Sequence, residues 1–77
     1  MKVYHVTTLK KLEKYKKNGY ILPPVRAWET LEQAERMSIS TGRRIILRLK
    51  FKDDAPKLEG HFGKARVSYQ PYKFTGY

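Results

Sequence analysis

From Lys2 to Val6 the chain reads as a strand, and the period then changes. Leu9, Leu12 and Lys16 fall at i, i+3 and i+7, with Tyr15 extending the apolar side, which is the spacing of an amphipathic helix. Thr7 or Thr8 is placed to cap its start, and Asn18-Gly19 ends it, because glycine accepts the left-handed conformation that follows a helix C-terminus. Tyr20-Ile21-Leu22 then runs extended into Pro23-Pro24, which forbids helix and stiffens the connection through Val25 to Trp28. Thr30-Leu31-Glu32-Gln33 matches a capping box, and Leu31, Ala34 and Met37-Ser38 continue a helical face that Gly42 closes. From Arg43 to Lys52 the period returns to two. Ile45, Leu47, Leu49 and Phe51 share one side, Arg44, Arg48 and Lys50 the other, and Ile46 is the apolar exception on the outer face.

The remainder also reads as sheet. Asp53-Asp54-Ala55-Pro56 is a turn cluster, and Gly60-His61-Phe62-Gly63 a loop between two glycines. Ala65, Val67 and Tyr69 then alternate against Lys64, Arg66 and Ser68 as a last strand before Pro71. The order of elements predicts an α+β fold, a small and mostly antiparallel sheet covered by two helices. The pattern leaves the order in which the strands pair open.

At 77 residues the chain makes one thin-cored domain, burying roughly 60% of its unfolded surface. It has no cysteine, so neither a disulfide nor a thiolate metal site supports the fold. No cluster of His, Asp and Glu has metal-ligand spacing, and no metal is expected. Ile45-Ile46-Leu47 is the longest apolar run and Arg48 breaks it, well below the ~20 residues of a membrane span. Met1-Lys2-Val3 enters a strand pattern without a leader-like apolar region. A cytoplasmic protein with no membrane partner is the expectation.

Charge sharpens the picture. Seventeen Lys and Arg against 7 Asp and Glu give a formal +10, which draws in polyanions: RNA, DNA, a nucleotide, or an acidic protein partner.

One set of motifs points further. Tyr4-His5-Val6-Thr7-Thr8, a helix ending in Asn18-Gly19-Tyr20-Ile21, and Arg26-Ala27-Trp28-Glu29-Thr30 leading into a second helix with Ala34 together resemble the N-terminal half of the ADP-ribosyltransferase-like fold. That superfamily includes the ADP-ribosylating toxins and the RNA 2'-phosphotransferases. The resemblance implies a nucleotide cleft in which His5 contacts a ribose, Thr7 is a neighbouring polar contact, and Tyr20 or Trp28 lies against the nicotinamide ring. It suggests NAD or ADP-ribose as ligand. Transferases of this class also use a late-strand glutamate, and Lys64-Ala65-Arg66-Val67-Ser68-Tyr69-Gln70 has no acid; Glu59 precedes it in a loop. The expectation is therefore binding without full transferase activity, with catalysis left open and His5 as the candidate catalytic residue. The phosphotransferases work through arginines with the histidine, for which Arg26, Arg44, Arg48 and Arg66 are available.

A different class of function fits the charge equally well. Arg44, Arg48 and Lys50 project from one strand face, and Lys64 and Arg66 join them if the two strands pair. With Tyr69, Tyr72 and Phe74 interleaved, such a surface would be a non-enzymatic module for RNA, DNA or an acidic protein, each base stack contributing ~1–3 kcal/mol. Blander readings stand beside both. A strand histidine is commonly a hydrogen-bonded structural residue, Trp28 a core anchor, the helix lysines a wet face, and edge cations a guard against aggregation.

Overall fold

A computed structural model describes residues 1–58 and 64–74. Its elements run β1 (Lys2–Thr7), α1 (Leu9–Asn18), β2 (Tyr20–Ile21), β3 (Val25–Trp28), α2 (Leu31–Thr41), β4 (Ile45–Lys50), β5 (Ala65–Ser68) and β6 (Tyr72–Lys73). This is an α+β fold with two helices, as the alternation of periods indicates. The loop at 60–63, with His61, and Glu59 lie outside the described residues.

Both helices end where the local chemistry dictates. Thr8 is the N-cap of α1, its hydroxyl accepting from the Lys11 amide at 3.2 Å, and Gly19 closes the helix at φ 79° with its amide on the Tyr15 carbonyl. Thr30 caps α2 in the same way, accepting from the Gln33 amide at 3.3 Å, and Gly42 follows at φ 73°. The buried stripe of α1 differs from the expected one. Leu9 is 60% exposed and Lys16 faces solvent, whereas Leu12 is buried and Tyr15 half-buried, so Leu12 and Tyr15 at i, i+3 make the packing face.

Four strands form one antiparallel sheet in the order β4-β1-β3-β5, and β2 pairs with β6 in a separate ribbon. The first strand thus lies inside the sheet, and β3 reaches β4 by a crossover in which α2 packs on β1, β3 and β4. Val3, His5 and Thr7 share a face with their partners Leu49, Leu47 and Ile45. That face carries the main core, where Val3, Leu47 and Leu49 meet Leu12 of α1, Ile21 of β2 and Val25 and Ala27 of β3. Tyr72 and Phe74 pack against the same core, Tyr72 in a tilted contact with Phe51 and Phe74 edge-on to Tyr15.

Two expectations about the sheet are corrected. β4 and β5 occupy opposite edges and do not pair, so Lys64 and Arg66 do not extend the row of Arg44, Arg48 and Lys50. The last long strand stops at Ser68, leaving Tyr69 outside it and 68% exposed rather than inward with Ala65 and Val67. Among the described residues no helix is long and apolar enough to cross a membrane.

Candidate functional site

The register between β1 and β3 consists of one pair, Tyr4 with Trp28. Beyond it the two central strands part, and the His5 imidazole takes a contact that a continued ladder would have filled with backbone: Nδ1 lies 2.6 Å from the Arg26 carbonyl oxygen. On the other side of the ring, Nε2 lies 3.2 Å from the Tyr15 hydroxyl, which is 3.3 Å from Thr7 Oγ1. Strand β1 supplies His5 and Thr7, α1 supplies Tyr15, and β3 the carbonyl.

Donor and acceptor roles follow from chemistry. A carbonyl only accepts, so Nδ1 carries the proton and donates to Arg26. Burial lowers the His5 pKa, the Arg26 bond opposes it, and the positive charges of Lys11 and Arg43 lower it further. The ring is therefore neutral at pH 7, and its bare Nε2 accepts from the Tyr15 hydroxyl. The Tyr15 oxygen in turn accepts from Thr7, which is 1% exposed and needs this partner. The chain of bonds thus runs from Thr7 through Tyr15 to His5 and on to the β3 backbone.

Where the strands part, a cleft of about 800 Å³ opens. Its walls include His5, Tyr20, Arg26 and Trp28, four of the five ligand-binding candidates, drawn from three strands. Thr7 is absent from the walls and acts behind them, through Tyr15. Three more cations line the space: Lys11 and Lys14 from α1, and Arg43 from the α2–β4 connection. No carboxylate is among its described lining residues, and none of its four cations is in an ion pair there. Leu22, 67% exposed, and Pro23-Pro24, joined by a cis peptide, give the cleft an apolar flank beside Tyr20.

The proposed nucleic-acid residues do not converge. Arg44, Arg48 and Lys50 are exposed along the β4 edge, and Lys64 is exposed at the far side of the sheet. Arg66 is structural: its guanidinium donates to Glu29 Oε2 and to the Ala55 carbonyl, both at 2.6 Å, with side-chain exposures of 13% for Arg66 and 24% for Glu29. That bond holds the Glu29 carboxyl below its usual range.

Tyr15 is the residue that sequence reasoning undervalued. A tyrosine beside Leu12 on a helix stripe was available as a signal, since a packed tyrosine keeps a hydroxyl that must find a partner. Lys11, Lys14 and Arg43 carried no such mark. Comparison with protein-family models, with curated proteins and with solved structures found no match.

Proposed function

We propose that this chain is a small ADP-ribosyltransferase-like domain that binds a phosphorylated nucleotide of the ADP-ribose or NAD type in the cleft between β1 and β3, without full transferase activity. The observation that carries this reading is the composition of the cleft. One wall offers rings and apolar surface, Tyr20, Leu22 and Trp28, against which a base or nicotinamide can lie. Others offer Lys11, Lys14, Arg26 and Arg43, four cations with no acid among the described lining residues, which suits a diphosphate. The neutral His5, held in one tautomer, sits among them as the resemblance leads one to expect of the strand histidine.

The same geometry argues against full transfer chemistry. A departing nicotinamide leaves positive charge on the ribose, which a nearby carboxylate stabilises. Strand β5 has no acid, and Glu29, the carboxylate tied to it, is committed to Arg66. Both nitrogens of His5 are also engaged, so its use as a base requires Tyr15 to move first.

Amide chemical-shift titration of the labelled protein with ADP-ribose and NAD at moderate salt tests the reading. Saturable shifts centred on His5, Tyr15, Tyr20 and Trp28 are expected. Absence of shifts, or diffuse salt-sensitive shifts over the lysines, would exclude it.

A further inference from the structure

The cationic residues of β4 stand on a strand whose outer edge no described strand pairs with. Met1 and Phe51 exchange both backbone bonds, Phe51 N–H to the Met1 carbonyl at 2.9 Å and the Met1 amino group to the Phe51 carbonyl at 2.6 Å. In an antiparallel pair such exchanges recur every second residue, so Leu49, Leu47 and Ile45 bond inward to Val3, His5 and Thr7. Lys50, Arg48 and Ile46 must then direct their amides and carbonyls away from β1. Lys50 bears this out, because its N–H is met by the Tyr72 hydroxyl at 2.9 Å. Tyr72 closes the edge at that end. No described bond occupies the outward groups of Arg48 and Ile46.

The charged side chains of β4, and that of Arg44 before it, are all of one sign. Arg48 and Lys50 are exposed, Arg44 precedes the strand and is exposed, and Lys2 lies opposite Lys50 in register. Like charges repel a second copy of the same edge, which protects the strand from self-pairing. They do not repel an extended chain of opposite charge. We infer that β4 takes an additional strand from an acidic, extended segment of a partner protein, whose backbone pairs with Ile46 and Arg48 and whose alternate carboxylates lie beside Arg44, Arg48 and Lys50.

Two features favour a peptide over a nucleic-acid strand. Paired outward N–H and C=O groups match a peptide backbone, whereas phosphates use donors only. Of the aromatics expected to stack on bases, Tyr72 holds the Lys50 amide and packs on Phe51, Phe74 packs on Tyr15, and the exposed Tyr69 follows β5 at the opposite edge of the sheet. The proposed edge is separate from the cleft, which includes none of its residues.

The test uses a ten-residue peptide alternating Glu with Val or Thr, the same peptide N-methylated at alternate residues, and a ten-nucleotide single-stranded DNA. Each is titrated into the labelled full chain at 0.15 M salt. The acidic peptide is expected to give saturable shifts confined to the amides of Ile46–Lys50. N-methylation on the pairing edge should weaken it at least about tenfold, because it deletes strand-pairing donors without changing charge. This comparison leaves the protein unaltered, so folding does not enter. Arg48→Pro, which removes an outward amide together with the Arg48 cation and keeps the inward ladder, should weaken the unmodified peptide at least as much. Equal affinity for the two peptides, shifts spread over the α1 lysines, or the same localised shifts with the oligonucleotide would each overturn the inference.

Discussion

Tyr15 of α1 locks His5 of β1, its hydroxyl donating to Nε2 while the opposite nitrogen donates to the Arg26 carbonyl. The helix and the two central strands are thereby tied together at the point where the sheet parts. Thr7 completes the arrangement from a position 1% exposed. The site's geometry and the fold's stability therefore depend on the same few polar atoms.

Tyr15→Phe removes one oxygen and leaves two groups unpaired, His5 Nε2 and the Thr7 hydroxyl. Buried polar groups left without a partner cost about 1–3 kcal/mol each. Since Thr7 is fully enclosed and His5 only partly, a total of about 2 kcal/mol is expected. In a domain of this size that lowers Tm by roughly 4–8 °C per kcal/mol. Thermal unfolding followed by circular dichroism measures it, and an unchanged Tm would mean that the hydroxyl contributes no net stability.

His5 also gives stability a pH dependence of definite sign. Its folded pKa is depressed, chiefly by burial, from an unfolded value of about 6.5. Between those two values the unfolded chain takes up a proton that the folded chain refuses. The contribution is therefore complete above about pH 6.5 and declines as pH falls towards the folded pKa. Urea unfolding of the wild type and of His5→Gln across pH 5 to 8 should show a steeper acid-side loss in the wild type. The paired carboxyls of Glu29 and Asp53, both held low, lose their contribution in a more acid window. A wild-type curve that rises towards pH 5.5 relative to the variant would contradict the assignment of a neutral ring.

The Arg66–Glu29 pair separates structural from binding roles among the arginines. Arg66→Met leaves the Glu29 carboxylate and the Ala55 carbonyl without their donor in partly buried surroundings. A loss of about 1–3 kcal/mol is expected, the range for a partly buried polar group left without its partner. Arg66→Lys should not restore it, since one ammonium cannot reproduce a planar fork that serves two acceptors in different directions. Chemical denaturation of the three proteins decides this. Near wild-type stability for Arg66→Met would return Arg66 to the pool of surface cations.

What was legible in the sequence was local. Thr8, Gly19, Thr30 and Gly42 mark the helix ends because capping involves groups within three or four residues of one another. The alternation of Ile45, Leu47 and Leu49 identified β4 for the same reason. Pairing was not legible, because the partners of β1 lie more than 20 residues away on either side of α2, and nothing in its own pattern says that it sits between them. Hence Arg66, read from its strand alone as an outward cation, turns out to be engaged with Glu29 across the β3–β5 boundary. His5, Tyr20, Arg26 and Trp28 could be named together only through the motif resemblance. Their common cleft depends on where β1 and β3 separate, which no local period records.

His5 reports on the charge of whatever occupies the cleft. Lys11 and Arg43 already depress its pKa through their charges, so the ring senses the potential of the space they line. An anion bound between those cations cancels part of that potential and must raise the His5 pKa. An uncharged ligand in the same cleft excludes water without adding negative charge, and so must leave the pKa unchanged or lower it. Imidazole nitrogen shifts followed against pH, with saturating ADP-ribose and then with adenosine, distinguish these signs. A rise with ADP-ribose and none with adenosine is expected. Lys11→Glu should raise the pKa without ligand and reduce the further rise on adding ADP-ribose. If ADP-ribose leaves the His5 titration unmoved while binding elsewhere, the phosphates do not lie in this cleft.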